Sequence, residues 1–331
     1  MNPLDYSKQI NLWYTSDSTE YQKLIDILLD EIKSELSLER FRAAIYKKPL
    51  LHILADLFIT HKADSKRYLA FSRDSGWFSI NTRYQPKNFA RDPFEIVVNF
   101  LESNGYVEAT KGFYDRNTGN SRNSRMIATD KLIKLFDAHK LTIANFYQLD
   151  TKESIILKSP KDEHDNTSKI DYEDTVATIA MRKNLKLINT NIGNHWIDLK
   201  ITDAQFSELQ EKLYIKATSD NQSNKHKSPV DFTRTNQVRI FNNGDVENPK
   251  FNQGGRFYGG WWLSIPSAYR SRIRINGKKT VELDYSAITR FTSYRRYTKS
   301  YIRLTNDNIL LKLVNNLRSY SGSTGDPYAH N

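Results

Sequence analysis

Apolar residues in the first sixty positions recur at the three- and four-residue spacing of amphipathic helices. These residues are Leu24, Ile25, Ile27, Leu28, Leu29, Ile32, Leu36, Leu38, Phe41, Leu50, Leu51, Ile53, Leu54 and Leu57. The spacing predicts two or three helices between residues 18 and 57, with their apolar stripes facing a common core.

The pattern then changes to shorter alternating runs. Residues 68–73 predict one strand, and residues 77–84 predict another. A helix is expected from about Arg91 to Asn104, where Gly105 stops it. After it come a hydrophobic strand, a basic turn and a returning strand that ends near Thr129. A helix, a strand, a basic hairpin tip and a second strand follow one another in this order in a winged helix.

The stretch FLESNGYVEATKGFYDRNTGNSRNSRMIATDKL resembles the winged-helix segment of plasmid and phage replication proteins, and the likeness covers about residues 45–140. The resemblance implies that the hairpin contacts phosphates or a minor groove through Lys111, Arg116, Arg122 and Arg125. The helix near residues 88–94 would face the major groove. The alternative is a small α+β domain with an exposed basic hairpin.

Three further residues beside this segment are candidates for nucleic-acid contact. Arg73, Arg83 and Tyr84 lie on the predicted flanking strands. Their side chains could contact phosphate, or they could pair internally with Asp74 or Glu95.

The rest of the chain divides at a polar stretch. Residues 217–228 contain almost no apolar side chain, which is typical of a linker. We therefore predict an α+β protein with N-terminal helices (1–44), a winged-helix-like DNA-binding domain (45–150), a helical connector (151–216), a linker (217–236) and a partial palm-like region (237–331).

Four motifs give the last region its character: VRIFNNG, GGRFYGGWW, IPSAYRSRIRING and VELDYSAI, all between residues 238 and 288, with GDPY at residues 325–328. They resemble the N-terminal palm segment of the lineage of family A DNA polymerases and single-subunit phage-type RNA polymerases. The resemblance implies that Asp284 is the first of two carboxylates that hold Mg²⁺, with the Tyr285 backbone carbonyl as a second ligand. Without the resemblance, Asp284 would be an ordinary turn residue after a strand.

Basic residues around the same motifs are candidates for nucleic-acid contact. Arg256 and Tyr258 lie between pairs of glycines, which would allow a nucleotide or a backbone to approach closely. Arg270, Arg272 and Arg274 form a basic flank suited to template or primer phosphates. The alternative for this flank is a solvated hairpin around Asn276.

The sequence after Asp284 departs from the polymerase pattern. Its forty-seven residues contain only two acidic side chains, Asp307 and Asp326, and Asp326 matches a helix start rather than the second metal ligand. One carboxylate cannot hold two divalent ions against their hydration, so we expect the isolated chain to be inactive as a polymerase. Residues 289–324 are atypical, and we expect this interval to be divergent or read out of frame.

The composition indicates which class of partner to expect. The 331 residues carry a formal charge of +11 and 12% aromatic residues, a combination suited to phosphates and stacked bases; the alternative is a basic but inert surface. The chain has no cysteine, which excludes disulfides, thiolate zinc sites and a cysteine nucleophile. No window approaches the ~20 apolar residues of a membrane span, and we expect a cytoplasmic protein without a membrane partner.

Three functions follow from these observations. The leading one is DNA binding in the replication of a mobile element, by an incomplete or degenerate relative of a template-directed polymerase, with RNA as a second candidate for the nucleic acid. The first alternative is an active Mg²⁺-dependent nucleotidyltransferase completed by a second polypeptide or a longer product, and Mg²⁺ is a cofactor only in that case. The second alternative is a winged-helix transcriptional regulator.

Overall fold

The N-terminal half consists of long helices packed on a small sheet. The computed structural model describes residues 3–37, 40–79, 82–86, 89–118, 121–163, 165–218 and 230–281. In chain order the elements of this half are β1 (Ser7–Gln9), β2 (Tyr14–Thr15), α1 (Thr19–Leu36), α2 (Ala43–Ala63), β3 (Tyr68–Phe71), α3 (Ser75–Ser79), α4 (Arg91–Ser103), β4 (Val107–Thr110), β5 (Phe113–Tyr114), β6 (Ser121–Arg122), β7 (Ser124–Ala128), α5 (Asp130–Ala138) and β8 (Tyr147–Gln148).

Helix α2 is the centre of this half, because it is buried on most of its sides. Phe58 on α2 stacks on Phe146 with ring centroids 4.6 Å apart and meets Phe136 edge-on at 5.2 Å. Ser18 caps the N-terminus of α1, where its hydroxyl accepts a hydrogen bond from the Tyr21 amide. The apolar stripe of α1 packs against α2. The helices expected between residues 18 and 57 are thereby confirmed.

The sheet has the strand order β1-β3-β7-β4, with β1 parallel to β3 and the other neighbours antiparallel. Met126 on the inner strand lies opposite both Leu69 and Ala109 and is fully buried. The two-stranded hairpin β5-β6 lies between β4 and β7 in the chain. The strand within residues 68–73 and the helix from Arg91 are confirmed.

The strand expected at residues 77–84 is wrong. Residues 75–79 form α3, in which the Trp77 amide bonds to the Asp74 carbonyl at 3.1 Å. A short aromatic run fits a strand or a helical turn equally well, and tertiary packing decides between them. Here Phe78 in the turn packs on Phe94, with ring centroids 5.3 Å apart.

The second half contains two three-stranded sheets with helices beside them. Its elements are β9 (Ile155–Leu157), α6 (Val176–Gly193), β10 (Ile197–Leu199), α7 (Asp203–Thr218), β11 (Val238–Phe241), β12 (Gly254–Tyr258), α8 (Ser267–Arg270), β13 (Ile273–Ile275) and β14 (Lys278–Lys279). The first sheet has the order β12-β11-β9, and the second has the order β10-β13-β14. The mixture of helices with small, separate sheets agrees with the predicted α+β class.

Strand pairing joins distant parts of the chain in this half. Strand β9, from the predicted connector, runs parallel to β11, from the predicted palm-like region, with Ile156 opposite Ile240. Both halves, through Lys279, belong to one compact unit. None of the helices in the described part of the chain combines the length and the apolar composition that crossing a bilayer requires.

An ion cluster centred on Glu153 connects the two halves. The Glu153 carboxylate is nearly buried and accepts hydrogen bonds from Arg83 at 3.2 Å and from Arg182 at 3.0 and 3.1 Å. Asp174 accepts from the same two guanidinium groups, and Asp171 accepts from Arg83 at 2.8 Å. The Arg83 guanidinium also lies 3.6 Å from the centre of the Tyr172 ring. Each of the two partly buried arginines is therefore paired with at least two carboxylates, which compensate for its lost hydration.

We predict that Glu153→Gln lowers the free energy of unfolding by about 2–4 kcal/mol, because it removes the nearly buried carboxylate from between two partly buried guanidinium groups and leaves them only the more exposed Asp174 and Asp171. Chemical denaturation followed by circular dichroism measures this change. The matched control is Asp165→Asn in the exposed pair with Lys161, where the same chemical change should cost less than about 0.5 kcal/mol. Equal effects for the two variants would contradict the structural role of Glu153.

A second prediction concerns acid. Hydrogen bonds from Arg182, and then from Arg83, hold the pKa of Asp174 below its ordinary value of 3.8 despite partial burial. A carboxyl group with a lowered folded-state pKa stabilises the fold above its unfolded pKa, and this contribution is lost as the pH falls through the folded pKa. Asp174→Asn should therefore destabilise the protein at pH 7, and its difference from wild type should shrink below pH 4. A difference independent of pH would contradict the assignment.

Candidate nucleic-acid interface

The hairpin β5-β6 is held in a defined shape at both ends. At its base, a Cβ on Gly112 would come within 2.3 Å of the Arg122 carbonyl oxygen, so only glycine fits this position. At its tip, the Asp115 carboxylate accepts the Thr118 hydroxyl at 2.7 Å and the Asn117 amide at 2.9 Å. These bonds lower the pKa of Asp115 and keep it charged within the turn.

The surface of the hairpin is basic and aromatic. Lys111 and Arg116 are exposed and form no ion pair within the described residues. Phe113 and Tyr114 are 50% and 68% exposed, which is unusual for adjacent large aromatic side chains. Exposed rings beside unpaired cations can contact both the bases and the phosphates of a nucleic acid.

The sequence predicted the cations of the hairpin but not its two aromatic residues. The signal was the adjacent pair Phe113-Tyr114, between Lys111-Gly112 and Asp115-Arg116. Alternation along a strand places neighbouring side chains on opposite faces. In a two-stranded ribbon both faces remain open to solvent.

The other two predicted cations of the hairpin have internal partners. Arg122 lies 3.5 Å from the Asp5 carboxylate, and its guanidinium is 5.2 Å from the centre of the Phe113 ring. Arg125 donates to the backbone carbonyls of Leu4, Asn123 and Ser124, and burial lowers its pKa. Arg125 therefore stabilises the base of the hairpin. Arg122 lies on the side of the hairpin, between the Asp5 carboxylate and the Phe113 ring.

Helix α4 presents an unfavourable surface to DNA along most of its length. Its exposed side includes Asp92 and Glu102, and Glu95 pairs with Arg91 at 3.2 Å. Arg91 also donates to the Arg73 carbonyl at 2.9 Å. Carboxylates repel the phosphates that border the major groove.

Arg73, Arg83 and Tyr84 have structural partners. Arg73 donates to the Asn99 side chain at 3.1 Å, and Arg83 belongs to the Glu153 cluster. The Tyr84 hydroxyl donates to the Ile170 carbonyl at 2.9 Å and accepts the Leu157 amide at 3.1 Å. None of the three pairs with Asp74 or Glu95, the internal partners that the sequence indicated.

The motif GGRFYGGWW at residues 254–262, the glycine-aromatic block, forms β12 and the turn after it. Packing within the chain explains its glycines. Gly254 and Gly255 have φ angles of +82° and +73° beside an irregularity in the β11-β12 register at Ile240/Phe241. Gly259 has a φ of +123°, and a Cβ there would come within 2.2 Å of the Asn236 carbonyl oxygen. Trp261 is buried in a small core with Ile265.

The cations of this region lie on separate elements. Arg256 is exposed on β12, with Tyr258 42% exposed two residues further on. The other three lie around α8 and β13, where Arg272 is exposed and the Arg270 and Arg274 side chains donate to nearby backbone carbonyls. No described strand joins Arg256 to these three.

The predicted metal ligands, Asp284 and the Tyr285 carbonyl, lie outside the described residues, which end at residue 281. Within the described ranges, no group of three or more histidine, aspartate or glutamate side chains is arranged to hold a metal ion.

Comparison with known proteins gives no relative. The chain matches no protein-family model, no curated protein and no solved structure.

We predict that Gly259→Ala destabilises the protein by at least about 2 kcal/mol, because φ at +123° is almost exclusive to glycine and the added Cβ meets the Asn236 carbonyl. Thermal or denaturant unfolding measures the change. Gly193→Ala is the matched control, since a Cβ at this helix end meets nothing within 4 Å, and it should change stability by less than about 1 kcal/mol in either direction. If Gly259→Ala proved harmless, the packing explanation of this glycine would be contradicted.

Proposed function

We propose that the protein binds duplex DNA through the β5-β6 hairpin of a winged-helix-like domain, as part of the replication of a mobile element. The observation that carries the proposal is the exposed pair Phe113 and Tyr114 beside the unpaired Lys111 and Arg116. A phosphate backbone and a groove wall would cover both the charge and the rings of this surface.

The topology supports this proposal. Helix α2, β3, α3, α4, β4, the hairpin and β7 follow each other as the helices, strands and wing of a winged helix do, and β3-β7-β4 has the corresponding antiparallel order. The exposed carboxylates of Asp92 and Glu102 favour a mode in which the hairpin, rather than α4, makes the main contact with the duplex.

The role in replication is proposed on the sequence motifs of residues 238–288. A relationship to template-directed polymerases would place this DNA-binding domain beside a partial palm. The Mg²⁺ site at Asp284 belongs to the same proposal and depends on a second carboxylate from another polypeptide or a longer product.

We predict that Lys111→Gln combined with Arg116→Gln weakens binding to a mixed-sequence duplex about 10-fold at 0.1 M salt. The two cations should each neutralise one phosphate, so the slope of log affinity against log salt should fall by about 2. Fluorescence anisotropy of a labelled duplex over a salt series measures both quantities.

Lys183→Gln combined with Lys200→Gln is the control, because it removes the same charge from exposed positions outside the hairpin. This control should change affinity less than about 2-fold. An equal loss in both double variants would show that only total charge matters, and an unchanged salt slope in the hairpin variant would contradict the proposed interface.

A further inference from the structure

A cleft of about 520 Å³ lies between the two halves of the compact unit, away from the hairpin. Residues 8–14, Arg67 and Trp77 form one wall, and β9, β11 and the loops beside them form the other. Segment 84–86 runs along the cleft, with Tyr84 bonded across it to the Leu157 amide and the Ile170 carbonyl.

The cleft concentrates positive charge. Five cationic side chains line it, namely Lys8, Arg67, Lys152, Lys169 and Arg234, whereas Asp231 is the single carboxylate in the lining. Lys8 is neutralised from behind by the buried Asp56 at 2.6 Å. The other four share one lining carboxylate.

These cations are held at a cost to the fold. Lys152 donates to the neutral Gln148 side chain at 3.0 Å, and its pKa falls to about 8 because burial and then the charges of Lys169 and Arg234 disfavour the proton. Burial also lowers the pKa of Lys169 and of Arg67. The Arg67 Nε is buried and has no hydrogen-bond acceptor among the described residues. A bound anion would relieve Lys152, Lys169 and Arg67 at once.

Planar and amide side chains lie beside the cations. The indole of Trp77 and the ring of Tyr84 belong to the lining, as do the amides of Asn11, Gln85 and Asn236. A ring offers a stacking surface for a base, and amides can donate to and accept from a base edge. The volume is within the range of small-ligand sites and suits a nucleotide.

We propose that this cleft binds a nucleotide, with its phosphate among Lys152, Lys169, Arg67 and Arg234 and its base against Trp77. The ligand is either a free nucleoside phosphate or an unpaired nucleotide of a nucleic-acid strand, since both present the same chemistry. This site is separate from the duplex-binding hairpin and does not depend on it.

Isothermal titration calorimetry of the full chain tests the proposal with dATP, inorganic phosphate and an eight-residue oligothymidylate. We expect dATP or the oligonucleotide to bind at least 10-fold more tightly than phosphate. Lys152→Gln and Lys169→Gln should each reduce that affinity at least 10-fold, and the exposed-surface control Lys183→Gln should change it less than 2-fold. Binding of dATP alone identifies a free nucleotide, and binding of the oligonucleotide with the same lysine dependence identifies a strand.

Thermal unfolding without ligand provides the second readout. Lys152→Gln removes an unpaired buried charge and should leave the melting temperature equal to or above that of wild type, while it abolishes the increase that the ligand gives to wild type. The variant Lys111→Gln/Arg116→Gln should retain full dATP or oligonucleotide affinity in the cleft. Absence of binding by both nucleotide probes, affinity equal to that of phosphate, or undiminished affinity in both lysine variants would overturn the proposal.

Discussion

The Glu153 carboxylate is the contact on which the arrangement of the two halves depends. It lies at the start of β9, between a guanidinium group from segment 82–86 and one from α6. Partly buried guanidinium groups require anions, and Glu153 is the most buried of the carboxylates that pair with these two. The backbone on either side of this contact is fixed as a result. Tyr84, which lines the cleft, follows Arg83, and Lys152 on its second wall precedes Glu153, so two lining residues are adjacent in the chain to this contact.

The cluster around Glu153 and the cleft beside it show two different uses of basic residues. In the cluster, carboxylates surround Arg83 and Arg182, and the charges stabilise the fold. In the cleft, Asp231 is the single lining carboxylate beside four of the cations, and burial lowers the pKa of Lys152, Lys169 and Arg67. Proteins retain such unfavourable groups mainly where a ligand compensates for them. The basic residues behind the net charge of +11 therefore have distinct roles, which composition alone cannot separate.

Local patterns predicted most of the N-terminal half. The helical stripe through Leu24 and Leu28, the stop at Gly105 and the order of strands around the hairpin all depend on neighbours in the sequence. The α3 turn could not be predicted, because the contact between Phe78 and Phe94 selects it. The roles of single arginines also depend on partners distant in the chain. Arg83 pairs with Glu153 seventy residues away, and Arg125 donates to the Leu4 carbonyl. The cleft brings together side chains from residue 8 to residue 259, and no spacing rule connects them.

The glycine-aromatic block illustrates the limit of motif reading. Its spacing suggested close approach to a nucleotide, whereas Gly259 makes room for the Asn236 carbonyl and Gly255 for the Phe241 ring. The glycines do allow close approach, but the groups that approach them belong to this chain. Gly259 still lines the cleft, so the tight β12 turn contributes to the second wall.

The central claim is that the β5-β6 hairpin contacts duplex DNA. Amide hydrogen exchange of the full chain, with and without a saturating duplex, tests it most directly. Our account predicts slower exchange from Lys111 to Ser124, with no change along α4 or on β12. Protection along the whole of α4, or on β12 with none in the hairpin, would contradict it.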